Sequence, residues 1–153
     1  MNLNPQKDFR SYIITVLCIF IFILNNGFIA IAEDSGVVII SNQSIPINNL
    51  SKVEFKNIFI GKIKLWENGD KVIIAVQKEK NIHEKFLRAY IKKSPKQYFN
   101  YWRNLIFTGK SNTVPKYFNT EDELIEFISS TTGAIGYISS NSTPNGVKII
   151  SVQ

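Results

Sequence analysis

The strongest constraint on this chain is a pair of short, uninterrupted apolar runs, Val37-Val38-Ile39-Ile40 and Val72-Ile73-Ile74-Ala75-Val76, with a capped amphipathic segment between them. Four or five consecutive apolar residues, mostly β-branched, read as strands buried on both faces. Strands of that kind belong in the middle of an α/β domain, with helices covering the sheet. The first run is bounded by Gly36 and by Ser41-Asn42, and a loop with Pro46 leads on to Ser51. Ser51-x-x-Glu54 has the capping-box form, Phe55, Ile58 and Phe59 share one helical face, and Gly61 ends the helix. Two buried strands with a helix between them make a βαβ unit, with a right-handed crossover if both strands lie parallel in one sheet.

Further along, Trp66-Glu67-Asn68-Gly69-Asp70 is a turn-rich segment feeding the second run. Asn81-x-x-Glu84 is another capping pair, and Phe86, Leu87, Tyr90 and Ile91 form the stripe of a second helix ending in Lys92-Lys93, where positive charge suits the dipole. Ser94-Pro95-x-Gln97 places a capping Ser, a Pro at the first helical position and a Gln at the third. Tyr98, Tyr101, Trp102, Leu105 and Ile106 then recur at three- and four-residue steps, a packing face rather than a base-stacking platform. Thr120-x-x-Glu123 opens a fourth helix with Leu124, Phe127 and Ile128 on its buried side. Strands are expected from Ala134 to Ile138 and from Val147 to Val152, around the turn Thr143-Pro144-Asn145-Gly146.

The amino-terminal segment reads differently. Lys7 and Arg10 precede an apolar run from Tyr12 to Leu24, and Ala30-Ile31-Ala32 follows. A basic end, an apolar core and a small-x-small site are the parts of a secretory signal peptide, so residues 1–32 are expected to be removed and the domain to be 33–153, periplasmic or secreted. The only cysteine, Cys18, lies in that apolar run after Val16-Leu17, where a lipoprotein signal needs a small residue. The domain therefore has no disulfide, no thiol nucleophile and no Cys-based metal site. The net charge of +6 loses only one unit with the leader. Its lysines are scattered without an Arg-rich stripe, which argues against nucleic acid as the partner.

Several spaced motifs resemble one family. Phe55-x-x-Ile58-Phe59-Ile60-Gly61-Lys62-x-x-x-Trp66-x-x-Gly69 is similar to the IF-x-G-K-x-x-x-W segment of the phosphate-binding proteins of ABC importers. Gly133-Ala134-Ile135-Gly136-Tyr137 resembles their GAIGY segment, and Tyr101-Trp102 with Phe107-Thr108-Gly109-Lys110 looks like a short, single-lobe branch of them. The resemblance implies a single lobe of a periplasmic-binding-protein-like (type II) fold: three layers, with a mixed sheet flanked by about four helices. It also implies phosphate or another small anion as ligand and a membrane transporter or envelope protein as partner.

In that family a loop of the form R-S-D-G-S-G-T follows the strand matching Val72 to Val76, and its hydroxyls and helix amides bind phosphate. Counted back from Phe86 without gaps, the Arg position here is Lys78, and Glu79, Lys80 and Asn81 take the next three. Ile82, His83 and Glu84 fill the second Ser, second Gly and Thr positions. Ile82 cannot hydrogen-bond, and the Glu84 carboxylate competes with an anion for first-turn amides. The candidate ligand residues are therefore Lys78, Lys80 and Asn81, with Ser41 and Asn42 at the end of the first run.

Material for catalysis is poor. His83 is the only histidine, so a multi-His metal site is excluded and a Ser-His-acid triad would have to use a residue at a helix start between Lys80 and Glu84. Gly109-Lys110-Ser111 echoes the end of a phosphate loop, but position 104 is Asn where that loop needs Gly. The expected function is a non-enzymatic exported binding protein with an altered anion loop and no cofactor. The alternative is an envelope accessory or interaction protein that has lost small-ligand binding.

Overall fold

A computed structural model describes residues 36–111 and 113–153, so the leader and its cleavage site lie outside the described residues. Six strands form one sheet: β1 (Val37–Ser41), β2 (Asn49–Leu50), β3 (Ile73–Gln77), β4 (Lys116–Phe118), β5 (Ala134–Ser139) and β6 (Lys148–Val152). Their order is β2-β6-β1-β5-β3-β4. β1 is antiparallel to both neighbours, β5 and β6, while β5 with β3, β3 with β4, and β2 with β6 are parallel. The sheet is mixed, as expected, but β1 and β3 do not form a parallel βαβ pair. They run in opposite directions with β5 between them, because a run buried on both faces carries no record of strand direction.

Among the described residues, four helices cover the sheet: α1 (Lys52–Phe59), α2 (Lys80–Phe86, continued by a π turn over Leu87–Ile91), α3 (Pro95–Phe107) and α4 (Glu121–Ser130). The strand alternation sorts them into two layers. Val37, Ile39, Ile74, Val76, Ile135 and Tyr137 face a core shared with α1, α2 and α3. Ile40, Ala75, Ala134 and Ile138 face the other way, onto Leu124 and Ile128 of α4. Helix–sheet–helix is the three-layer arrangement.

The capping boxes at Ser51/Glu54, Ser94/Gln97 and Thr120/Glu123 all close. The pair Asn81/Glu84 does not. The N-cap of α2 is Glu79, whose side chain accepts from the amides of Asn81 and Ile82. On α3, Tyr98 and Trp102 are buried and Tyr101 and Leu105 pack against the core, but Ile106 is exposed and Phe107 is 90% exposed. The last turn of α3 extends past the core it was expected to cover.

The family-like motifs are packing devices in this structure. Gly61 has φ +70, and a Cβ there would lie 2.6 Å from Cη2 of Trp102. Gly133 has φ +76, and its Cβ would lie 2.2 Å from the Lys71 carbonyl oxygen. Trp66 donates its indole N–H to the Gly133 carbonyl at 2.9 Å, tying the first motif to the second. Gly136 lets α4 approach the sheet, since a Cβ would meet Cδ1 of Ile128 at 2.7 Å. Tyr98 and Tyr101 donate to the carbonyls of Phe59 and Ile60 at 2.8 Å each, satisfying acceptors left open at the end of α1.

Candidate ligand loop at the carboxyl edge of the sheet

In open α/β sheets, ligands bind outside the carboxyl ends of the parallel strands. Here that edge holds the loop from Lys78 to Asn81 after β3, the Asn119-Thr120 turn after β4, and Ser139-Ser140 after β5. The amide of Lys78 donates to the Phe118 carbonyl at 2.9 Å, and its Nζ donates to Oδ1 of Asn119 at 3.1 Å. Lys80 is the first residue of α2, and it is exposed, as are Lys78 and Asn81.

The amides an anion would use are taken. Oε1 of Glu79 accepts from the Asn81 amide at 3.1 Å and Oε2 accepts from the Ile82 amide at 2.9 Å. Around the start of α4 the same happens. Oε2 of Glu123 accepts from the amides of Asn119 and Thr120 at 3.1 and 3.3 Å. Glu121 accepts from the Ser139 amide at 2.6 Å and from the Ser142 hydroxyl. Three carboxylates of this chain therefore occupy donors along the carboxyl edge, each adding negative charge where the helix dipoles would attract a ligand's.

Ser41 and Asn42 stand elsewhere. Because β1 is antiparallel, Ser41 pairs with Ile135, and Ile135 pairs with Ile74 near the start of β3. They lie at the amino edge, a strand length from Lys78. Asn42 there joins elements: its Nδ2 donates to the carbonyls of Ile128 and Ser129 at 2.8 and 2.9 Å, at the end of α4, and its Oδ1 accepts from the Ser44 amide. The Ser41 hydroxyl donates to the Asn42 carbonyl at 3.3 Å. The structure brings Lys78, Lys80 and Asn81 together and leaves Ser41 and Asn42 apart from them.

His83 belongs to the packing between α2 and β5. Its Nδ1 lies 2.5 Å from the Tyr137 hydroxyl, and the two rings stack at 6.2 Å with 16° between planes. Burial holds the imidazole below its ordinary pKa, with Glu84 working weakly the other way. Burial likewise pushes the Tyr137 hydroxyl well above the usual phenol range. A neutral imidazole accepting from a neutral phenol fits both directions. Beside them, Gln77 is buried with its Oε1 unpartnered among the described residues. No cluster of three or more His, Cys, Asp or Glu able to hold a metal occurs among the described residues, and no helix there is long and apolar enough to cross a membrane.

Sequence reasoning missed Glu79, Glu121 and Tyr137 as parts of this edge. Glu79 carried a local signal, an acid just before a helix start, but Asn81-x-x-Glu84 matched the commoner pattern. Glu121 reaches a partner 18 residues away and His83 one 54 residues away, so no local pattern could reveal them.

A lobe of three layers with a mixed sheet, and a loop leading into a helix at its carboxyl edge, is the arrangement of a periplasmic-binding-protein-like fold. Residues 34–150 match a family model described as a PBP superfamily domain. The chain belongs to that family. No curated protein matches it. Solved structures similar to it include the ABC-type phosphate transport receptor of Vibrio cholerae, at 21% identity over 76% of this chain and 46% of that one, TM-score 0.51. A putative phosphate ABC transporter substrate-binding protein with bound phosphate from Clostridium perfringens is similar at 17% identity over 76% and 44%, TM-score 0.57. PstS from Borrelia burgdorferi is similar at 21% identity over 77% and 47%, TM-score 0.55. At these identities the likeness is one of fold, and this chain spans less than half the length of each.

Proposed function

We propose that the chain is an exported, non-enzymatic binding protein of the substrate-binding lineage, cleaved near Ala32, whose loop after β3 has been rebuilt so that this lobe no longer grips phosphate. The observation that carries the reading is the Glu79 carboxylate on the amides of Asn81 and Ile82. An anion arriving at the same amides meets a like charge about 4 Å away, which costs roughly 1 to 4 kcal/mol between bulk-water and protein-surface screening. Displacing Glu79 costs about 1 kcal/mol in lost capping. The cheaper of these two routes sets the penalty, so Glu79 weakens an anion site by about fivefold or more, and the loss of a hydroxyl donor at Ile82 adds to it. Lys78, Lys80 and Asn81 then supply only a diffuse attraction for phosphate or another small anion. A lobe of this kind serves better as an envelope accessory protein, or as a component presented to a membrane transporter, than as a phosphate carrier.

The test is isothermal titration with inorganic phosphate at low and moderate salt. No saturable heat at millimolar phosphate is expected. Tight binding that resists salt would overturn the reading and would require Glu79 to swing away from its amides.

A further inference from the structure

A different face carries charge of the opposite sign. Two clefts, of about 440 and 460 Å³, flank the π turn: the first lies between it and α1, the second between it and the start of α3, and Lys92 lines both. Their walls hold Lys52, Lys56, Lys62, Arg88, Lys92 and Lys93 against a single carboxylate, Glu84. Lys52 and Lys56 are one helical turn apart on α1, so their ammonium groups stand on the same side of the groove. The lining of the first cleft includes Val53, 69% exposed, and Tyr90. Like charges gathered in this way repel one another and lower stability unless a partner of opposite charge covers them.

Lys92 adds a second observation. It is the one non-glycine residue with positive φ among the described residues, at +59, in the position after a helix where glycine is the usual choice. A side chain there costs about 1 kcal/mol or more over glycine. That backbone strain falls at the residue shared by the two clefts, and strain of this sort gathers where a side chain has a task.

We propose that the two clefts flanking the π turn, joined at Lys92, form one docking site for an extended acidic peptide segment of a partner protein. Charge complementarity selects an anionic partner. Val53 and Tyr90 offer apolar contact to a peptide's intervening side chains. A single arginine among the cations is poor material for nucleic-acid phosphates, which favour the guanidinium fork. The proposal uses none of the residues of the loop after β3, so it stands or falls separately from the loss of phosphate binding.

The experiment titrates the full chain with a short Glu-Val repeat peptide, in parallel with anionic lipid vesicles and a single-stranded oligonucleotide. The peptide should bind at low ionic strength and weaken with added salt. The double variant Lys56→Glu/Arg88→Glu should bind about tenfold more weakly, while Lys71→Glu/Lys110→Glu, with the same change in net charge outside the groove, should match wild type. Lys92→Gly should also weaken binding, and because it relieves the backbone its thermal midpoint should hold or rise, which separates lost binding from lost folding. No peptide binding, equal weakening by both double variants, or preferential binding of vesicles or oligonucleotide would each overturn the proposal.

Discussion

The two edges of the sheet serve different ends. At the amino edge, Trp66, Gly133, Asn42 and Ser44 are joined by hydrogen bonds: Trp66 and the Ile73 amide donate to the Gly133 carbonyl, the Gly133 amide donates to the Ser44 hydroxyl, and Asn42 closes the end of α4. At the carboxyl edge the donors that could meet a ligand are satisfied by Glu79, Glu121 and Glu123. The amino edge holds the motifs that resemble phosphate-binding proteins, and at the carboxyl edge the amides of Asn81 and Ile82 are held by Glu79. Motif likeness therefore tracks the frame here, and function has to be read from the other end of the strands.

The comparison can be broken at the frame first. Gly133→Ala places a Cβ 2.2 Å from the Lys71 carbonyl at a positive φ, so a loss of about 3 kcal/mol or outright failure to fold is expected in urea unfolding. Gly61→Ala should cost less, about 2 kcal/mol, since Trp102 is a side chain and can shift from the 2.6 Å approach. Trp66→Phe removes the indole donor while the Ile73 amide still serves the Gly133 carbonyl, so about 1 kcal/mol is expected. At the carboxyl edge, Glu79→Ala should cost about 1 kcal/mol in thermal or urea unfolding through the lost N-cap. Titrated with phosphate, this variant should still bind no tighter than millimolar, because Ile82 supplies no hydroxyl. Micromolar binding would make Glu79 the sole block.

The smallest effect sharpens the picture of His83. Its folded-state pKa is depressed by burial below the ordinary 6.5, so the unfolded chain takes up a proton first as pH falls. The His83 contribution is fully present above about pH 6.5 and is lost as pH falls from there through the depressed folded value. Urea midpoints of wild type and His83→Gln, compared at neutral pH and at pH 5, should show a steeper acid loss for wild type. Parallel loss in both would mean that His83 is not held neutral against Tyr137.

The legible parts of the fold are those whose chemistry is local. Ser51 with Glu54, Ser94 with Gln97 and Thr120 with Glu123 each act over three residues, and all three begin helices where expected. The same pattern misled at Asn81 and Glu84, where Glu79 reached the amides first. The two short strands, Asn49–Leu50 and Lys116–Phe118, lacked a signal of their own, because each exists through backbone pairing with a distant neighbour. Lys78, Lys80 and Asn81 share one loop and helix start because they are neighbours in sequence. Ser41 and Asn42 do not join them, since their place depends on the direction of β1.

By itself the sequence determined the α/β class, three of the four helix starts among the described residues, the buried faces of α1 and α2 and the glycines at tight turns. All of these follow from periodicity, capping and backbone freedom within a few residues. Only the tertiary structure decided that β1 runs against the other described strands, that Glu79 closes its own helix, that His83 and Tyr137 meet, and that six cations line two adjoining clefts. Each of those depends on which distant segments pair in the sheet, and a doubly buried apolar strand packs equally well in either direction until its neighbours are in place.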